Sequence, residues 1–486
     1  MAQKRLQRPI PKRLKKLMYI SPVVTVLSVT VLMWTFRSDR NVQSWLMFYQ
    51  SVSHSSGKET PAEACQQRRC VQSSPAPAVG PEEEPFILPV NGTKTLLISA
   101  YLEHRVHSKE VRLIAVVLRS ETVAYCCLLC CQETLHVSEG VSSVHPDHFQ
   151  FPYGTADIMC PVPSACQSPS YITVTSVITN TAAGQCGDKL EQRFMEVKNL
   201  EAKTDSFRYN FTVCLSTMFD FTNVLQLVQS LEMMRLLGVN RVVVYKTSCS
   251  PETQRLLDHY TQQGFLEVVS WTLSRHVNVS RGWLPLHGPG DLHYMGQIPA
   301  LNDCLYRYMY QTRYLALQDM DELILPQTVS SWSALLPLLE KEHRAKQCYM
   351  FQNNVFPITA ALPPPGPAAA PPADPWGKVS GINILKHLHH EPVIKETEFS
   401  NFKIIVSPRA IFSTSVHGVL SPQNVCAWVD RNVARMYHTR DPRQPELTAD
   451  QLIYDGRLLN YSAALLPAVT TALRQSRLLP EDDTHQ

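Results

Sequence analysis

An α/β domain preceded by a β-rich domain, behind a single N-terminal transmembrane helix, is the fold class that three observations on this 486-residue sequence predict. From residue 206 onward, short apolar runs alternate with amphipathic stretches, the pattern of a parallel sheet with crossover helices. Between residues 91 and 205, β-branched runs are separated by turn segments containing Pro and Gly. Ahead of both, residues 17–36 carry no formal charge and follow a basic leader. The length fits about two or three domains, and 44% hydrophobic residues exclude a largely disordered chain.

Residues 1–16 hold Lys4, Arg5, Arg8, Lys12, Arg13, Lys15 and Lys16 and no acid. That charge of +7 leaves −4 for the remainder of a chain whose formal net charge is +3. With no basic face left on the body, nucleic acid is not an expected partner. The twenty positions 17–36 match a helix that crosses a bilayer core. The one-sided basic flank places the amino terminus in the cytosol and the rest in the lumen, the type II arrangement of a signal anchor. The run is long for a cleaved signal peptide and no small-x-small site follows it; its modest length suits a thin, early-secretory membrane. Residues 37–90, rich in Ser, Pro, Glu and Gln, read as a flexible stem. Asn91, Asn210, Asn278 and Asn460 each begin an N-glycosylation triplet on the predicted lumenal side.

Within the β-rich domain, residues 91–205, the runs Thr95–Ser99, Val111–Val117 and Tyr171–Val177 read as strands. Fourteen cysteines suit an oxidising compartment. Cys126, Cys127, Cys130 and Cys131 raise a zinc site, because Cys127 and Cys130 have the two-residue spacing. No second such pair exists, so a strand carrying buried thiols or disulfides is the preferred reading.

The α/β domain, residues 206–475, begins with the strand Val213–Thr217. Asn223 then caps a helix whose Val224, Leu227, Val228, Leu231 and Met234 keep helical spacing up to Gly238. Arg241–Tyr245 is the next strand. Ser250 and Pro251 open a second helix, with Leu256, Leu257 and Tyr260 on one face, before the strand Leu266–Trp271. A third helix, with Ile298, Leu301, Leu305 and Tyr308 inward and Asn302 and Asp303 on its polar side, leads into the stretch Tyr314–Pro326. Trp332, Leu335, Leu336 and Leu339 mark another helix, followed by a strand at Cys348–Gln352. Residues 362–377, with seven prolines and several alanines, read as an exposed insertion, and the histidines of Lys386–His390 beside it as exposed. Residues 476–486 form a tail.

The chemistry is expected at Tyr314–Pro326, where an apolar strand delivers Asp319 and Asp321 at its carboxyl end. Ligands of open α/β sheets bind outside those ends. Paired carboxylates there suit a hard divalent cation that keeps positions open for phosphate, as a nucleotide-sugar diphosphate requires. An Asp-x-Asp triplet alone recurs by chance; its place in the fold gives it weight. Asp220 and Tyr245 stand where such a sheet meets uracil and ribose, and Gln297, Asn302 and Asp303 can line the donor site from the preceding helix. Each also has a plain structural reading: a helix cap for Asp220, core for Tyr245, a solvated polar face for Asn302 and Asp303.

Gly296-Gln297, Asp303-Cys304-Leu305 and Asp319-Met320-Asp321-Glu322, in that order and spacing, resemble glycosyltransferase family 92. Leu237–Val239, Lys403–Pro408, His417 and Tyr437-His438 are similar as well, and the resemblance runs from about Thr95 to Arg440. It implies a GT-A-type nucleotide-sugar-binding domain in a type II Golgi membrane protein whose catalytic domain is lumenal. It further implies a manganese-type divalent metal and inverting transfer of galactose from UDP-galactose to fucose or galactose of N-glycans in β1,4 linkage. In GT-A enzymes a late histidine often completes metal coordination, and His438 fills that place with His417 as runner-up. An inverting transfer also needs a carboxylate within reach of the acceptor hydroxyl; Glu322 and Asp430 are both candidates. The chain departs from the family at the Pro/Ala insertion and at His438-Thr439, where His-Tyr is commoner, and both departures bear on acceptor choice. The alternative function is a catalytically inactive, membrane-anchored glycan-binding protein of the same fold. Intact Asp319 and Asp321 argue against it.

Overall fold

β-Branched residues on both faces of the amino-terminal strands fold them into a closed ring. The structure, a computed structural model, describes residues 87–132, 134–176, 193–202, 206–344, 346–365 and 375–480. The basic leader, the predicted span at 17–36 and all but the last residues of the predicted stem lie outside these. Among the described residues no helix is long and apolar enough to cross a membrane.

The ring consists of β1 (Leu88–Pro89), β2 (Leu96–Glu103), β3 (Glu110–Leu118), β4 (Tyr125–Cys131), β5 (Thr134–Val144), β6 (Tyr153–Pro161), β7 (Tyr171–Ser176) and β8 (Met195–Lys198). Its spatial order is β1-β2-β3-β6-β5-β4-β7-β8, and β8 returns to pair with β2 through Ala100 and Val197. Strand side chains alternate between faces. Val111, Leu113, Ala115 and Val117 of β3 therefore fill the ring with Leu97, Ile158 and Val174, while Ile114 and Val116 point outward into a second core shared with the α/β half. The cysteine run is β4 itself. Cys127 pairs with Cys160 and Cys131 with Cys166, and Cys130 is also disulfide-bonded, so three of the run's four cysteines are cross-links. The sheet starts at Leu88, inside the stretch read as stem.

The α/β half runs β9 (Tyr209–Met218), α1 (Val224–Leu236), β10 (Arg241–Lys246), α2 (Pro251–Gln262), β11 (Leu266–Ser270), α3 (Gln297–Tyr308), β12 (Thr312–Gln318), β13 (Glu322–Pro326), α4 (Trp332–His343) and β14 (Cys348–Pro357). There follow β15 (His389–His390), β16 (Phe402–Val406), β17 (Ser413–Ser415), β18 (Gly418–Ser421), β19 (Cys426–Trp428), β20 (Ala434–Arg440), β21 (Ile453–Tyr454) and α5 (Ser462–Gln475). The parallel block has the spatial order β11-β10-β9-β12. The chain steps outward from β9 to β11 and then crosses back beyond β9 to β12. The direction of winding thus switches between β9 and β12, and their carboxyl ends flank the crevice such a switch creates. Antiparallel β16 extends the sheet past β12, β14 pairs with β16, and β20 joins β14 to β13.

Helix starts follow the sequence with one exception. Ser250 Oγ accepts the Thr253 amide 3.2 Å away and caps α2, but Asn223 makes no such bond to α1; its Oδ1 accepts the Ile382 amide instead, at 2.8 Å. Two exposure expectations are corrected. Trp376, at the edge of the Pro/Ala insertion, is wholly buried in the core between sheet and helices and donates to Thr470 Oγ1 at 3.0 Å. That end packs, while residues 366–374 lie outside the described residues. His387, His389 and His390 are buried: β15 pairs with β21, His390 meets Phe356 of β14, and His387 Nδ1 lies 3.3 Å from the Ala360 carbonyl.

Candidate functional site

The turn between β12 and β13 places Asp319 and Asp321 at the mouth of the crevice. Gln318 ends β12, and its Nε2 donates to the Glu322 carbonyl at 2.7 Å, tying the turn's two ends. The Asp319 amide donates to Glu322 Oε2 at 2.8 Å. His438 arrives on β20, whose antiparallel pairing sets it directly opposite Glu322. Its Nε2 lies 3.2 Å from Asp321 Oδ2, and its Nδ1 lies 3.4 Å from Glu322 Oε1. From β16, Lys403 Nζ reaches Asp319 Oδ2 at 2.7 Å and Glu322 Oε2 at 3.3 Å. Gln297, the first residue of α3, donates to Asp319 Oδ1 at 2.9 Å.

The result is a chain of alternating charge on four strand ends. Burial raises the Asp319 carboxyl, but Lys403 overrides it and holds the group at about 2. Burial raises Glu322, and the neighbouring Asp319 charge adds to it against Lys403, leaving it above the ordinary carboxylate range. Burial lowers His438, yet the Asp321 and Glu322 carboxylates outweigh it and raise the imidazole. Lys403 is raised too, since burial is outweighed by its two carboxylates. The outward end is Asp321, whose side chain is 38% exposed against 1% for Glu322. Solvent therefore meets the cluster at Asp321 and, to a lesser extent, at Asp319, whose side chain is 28% exposed.

Among the described residues no group of three or more His, Cys, Asp or Glu side chains is preassembled around one metal position. The Asp321–His438 pair nevertheless fits one. Ligand atoms held at about 2.1 Å from an octahedral ion lie about 3.0 Å from each other when adjacent, close to the observed 3.2 Å. Asp321 is open to incoming charge, and His438 turns Nε2 toward it while Nδ1 lies on the Glu322 side. Asp319 stands behind this pair with Lys403 as its counter-ion, which makes it the anchor of the turn.

Other residues predicted for the site separate into two groups. Asp220, in a left-handed conformation just past β9, is 56% exposed and pairs with Arg281 while accepting from Ser248 at 2.7 Å; it sits on the crevice lip. Gln297 is inside the site, and its buried Oε1 has no partner. Tyr245, Asn302 and Asp303 are corrections. Asp303 is 1% exposed and accepts from Tyr101 and Tyr245 at 2.6 Å each and from Arg307 at 2.9 Å, so it is the knot joining ring, sheet and α3. Asn302 donates to the Thr414 carbonyl and accepts its amide, at 2.8 and 3.0 Å, which pins β17 to α3. None of the three has a polar group left for a nucleotide.

Asp430 is likewise displaced. It precedes β20 on the far side of Ala434, which pairs with Pro326 at the opposite end of β13, about 13 Å of strand from His438. Its Oδ1 accepts the Asn432 amide at 2.8 Å. Glu322, the other base candidate, is enclosed by Lys403, His438 and the Asp319 amide, so it positions the turn and cannot meet an acceptor. His417 donates from Nδ1 to the Phe402 carbonyl at 3.1 Å; burial and Lys403 hold its pKa down to about 4.

Lys403 was not foreseen as a site residue, although a lone lysine opening the apolar strand Lys403–Val406 was the available signal. An aromatic group was missed as well. His293 stacks on Phe149 with centroids 4.2 Å apart and meets Trp283 at 4.7 Å. Both of its ring nitrogens lack partners.

The sequence model of glycosyltransferase family 92 matches residues 209–457, just over half of the chain. Similar curated proteins include a glycosyltransferase family 92 protein of Caenorhabditis elegans, 25% identical over 42% of this chain and 37% of that one. Another is a galactan beta-1,4-galactosyltransferase of Arabidopsis thaliana, 28% identical over 26% of this chain and 22% of that one. The chain thus spans well under half the length of these relatives. Among solved structures, glucosyl-3-phosphoglycerate synthase of Mycobacterium tuberculosis aligns at 13% identity over 56% of this chain and 82% of its own, with a TM-score of 0.24. A structure of that enzyme with Mn2+, UDP and glucosyl-3-phosphoglycerate aligns with the same figures; scores this low carry no weight for the fold.

Proposed function

Because the chain belongs to glycosyltransferase family 92, we propose that it is a metal-dependent inverting transferase of the GT-A type, moving galactose from UDP-galactose to fucose or galactose on N-glycans in β1,4 linkage. The observation that carries the reading is the Asp321–His438 pair at the switch point of a parallel sheet, backed by Asp319 and Lys403. Asp321 and His438, with Asp319 behind them, would hold a manganese-type cation. When bound, such an ion supplies Lewis-acid neutralisation of the departing diphosphate.

The chain's own groups do the rest. Lys403 keeps Asp319 ionised and, with its contact to Glu322, fixes the turn so that it meets charge without rearranging. Asp220 and Arg281 on the opposite lip flank the carboxyl end of β9, where such sheets receive the nucleoside. As the acceptor oxygen bonds to the anomeric carbon, the bond to the diphosphate oxygen breaks, UDP leaves with the electron pair, and the hydroxyl proton passes to a base. We place the enzyme in the Golgi membrane as a type II protein, on the strength of the basic leader and uncharged span.

The test is transfer by the full-length protein from a panel of nucleotide sugars to N-glycans ending in galactose or fucose. Galactose transfer from UDP-galactose is expected. Binding of these glycans without transfer from any donor would favour the inactive glycan-binding alternative.

A further inference from the structure

Trp283 stands half-buried at the centre of a group of rings beside the carboxylate turn. Its ring centroid lies 4.7 Å from that of His293, 4.8 Å from Phe149, 5.3 Å from His417 and 6.2 Å from Tyr294. Two of these neighbours lead to the charged site. The pKa of the Tyr294 hydroxyl is raised by burial and by the Asp319 and Asp321 charges, and His417 is near enough to Lys403 to be held down by it as well as by burial. On its other side Tyr294 meets Phe219 at 5.7 Å, over which the Arg281 guanidinium sits at 5.6 Å, beside Asp220. The indole therefore lies between the β9 lip, where a nucleoside would enter, and the β16 side of the turn.

The loop that carries Trp283 is tightly built. Val279 bridges to Leu292, and the wholly buried Ser280 accepts the Gly282 amide at 2.9 Å and donates to the Gly288 carbonyl at 3.0 Å. A Cβ on Gly282 would stand 2.6 Å from the Gly288 amide nitrogen, so the two arms of the loop touch. From β6 of the ring, the Tyr153 amide donates to the Asp291 carbonyl at 2.9 Å. Phe149, also from the ring, and Tyr294 both hold left-handed backbone, with φ of 50° and 32°. Bulky residues stay in that region only where their surroundings fix them, and such strain gathers at ligand sites. The indole is thus held in place before any ligand arrives.

The fully buried Trp271, Trp332 and Trp376 each donate their indole N–H, to Met295, Ile324 and Thr470, as buried indoles do. Among the described residues Trp283 makes no such bond. Behind it, His293 is brought down to about 3 by burial and is a neutral ring. A half-exposed indole on that backing offers an apolar face and one N–H donor. A neutral pyranose offers a C–H face and hydroxyl acceptors in return. We propose that Trp283 is a sugar-binding residue, stacking on a neutral pyranose ring beside the carboxylate turn. The galactosyl group of the donor and the terminal sugar of the acceptor share this chemistry. The proposal rests on the transferase reading above.

The experiment footprints the full-length protein with hydroxyl radicals in the presence of Mn2+, alone and with UDP, UDP-galactose or an N-glycan ending in galactose or fucose. Oxidation of the Trp283 peptide is read by mass spectrometry. Protection by UDP-galactose beyond that by UDP supports the proposal and assigns the donor's sugar; protection by the glycan supports it and assigns the acceptor's. In parallel, Trp283→Leu keeps apolar bulk without an aromatic face. It should lower kcat/KM at least about tenfold with UDP affinity within about twofold of wild type, and Trp283→Phe should recover most of the loss. Full protection by UDP alone would give the indole to the uracil and overturn the proposal. So would absence of protection by UDP-galactose and by glycan in a protein that binds either, or an unchanged kcat/KM in folded Trp283→Leu. Wild type that binds neither UDP, UDP-galactose nor glycan would overturn the transferase reading as well.

Discussion

Replacing Asp303 by Asn should cost stability and leave the donor site untouched. The carboxylate accepts two tyrosine hydroxyls at 2.6 Å and faces the Arg307 guanidinium, all from the centre of the molecule. Burial alone would raise it, but Arg307 and Lys198 bring it down to about 2 from 3.8. That gap, at about 1.36 kcal/mol per pH unit, corresponds to about 2 kcal/mol. Removing the charge also leaves Arg307 with only Glu267, 3.4 Å away, and an under-compensated buried cation adds to the loss. Together these suggest about 3–5 kcal/mol. Because the folded pKa is depressed, the carboxylate's contribution is present above pH ~4 and disappears as pH falls through ~2. Thermal unfolding of the protein should therefore begin roughly 5–10 °C lower in the variant, at about 2 °C per kcal/mol, while the KM for nucleotide sugar in the folded fraction stays within twofold. An unchanged melting temperature with a tenfold rise in donor KM would refute the structural role and restore Asp303 to the donor site.

Asp430→Asn should retain turnover within twofold, since the residue lies at the far end of β20; a loss of a hundredfold would make it the base after all. Gly290→Ala should disrupt the 277–296 loop, because φ is 149° and an added Cβ would stand 2.5 Å from the Ser280 amide nitrogen. Limited proteolysis should cut that loop faster in the variant, and equal cutting rates would show that the backbone yields. Cys214→Ser with Cys304→Ser removes the bond clamping α3 onto β9 across 90 residues and should destabilise by about 2–5 kcal/mol; denaturant midpoints unchanged by the pair would contradict this.

The strands and helices of the α/β half were legible because each buries a face whose period survives in the chain. Val224, Leu227, Val228, Leu231 and Met234 mark α1, and Trp332, Leu335, Leu336 and Leu339 mark α4. What covers the second face of an element is not local information. Asp303 lies on the polar side of α3, yet Tyr101 comes to it from 202 residues earlier in the chain, turning an apparent solvated face into core. The histidines of Lys386–His390 are buried for the same reason, against segments distant in the chain such as β14 and β21. Asp319, Asp321 and His438 were readable from a strand end and a family pattern, and the β13–β20 register brings the last two together. Lys403, 84 residues from Asp319, sits on a strand whose antiparallel insertion beside β12 no sequence period announces.

The most direct measurement is Mn2+ dependence of galactose transfer by wild type and Asp321→Asn. The substitution keeps shape but removes the exposed carboxylate facing His438, so transfer should fall by at least about a hundredfold, with the residual activity needing more metal and the melting temperature nearly unchanged. Wild-type turnover should vanish with chelator and return with Mn2+. Full activity of Asp321→Asn, or of wild type stripped of metal, would contradict the account.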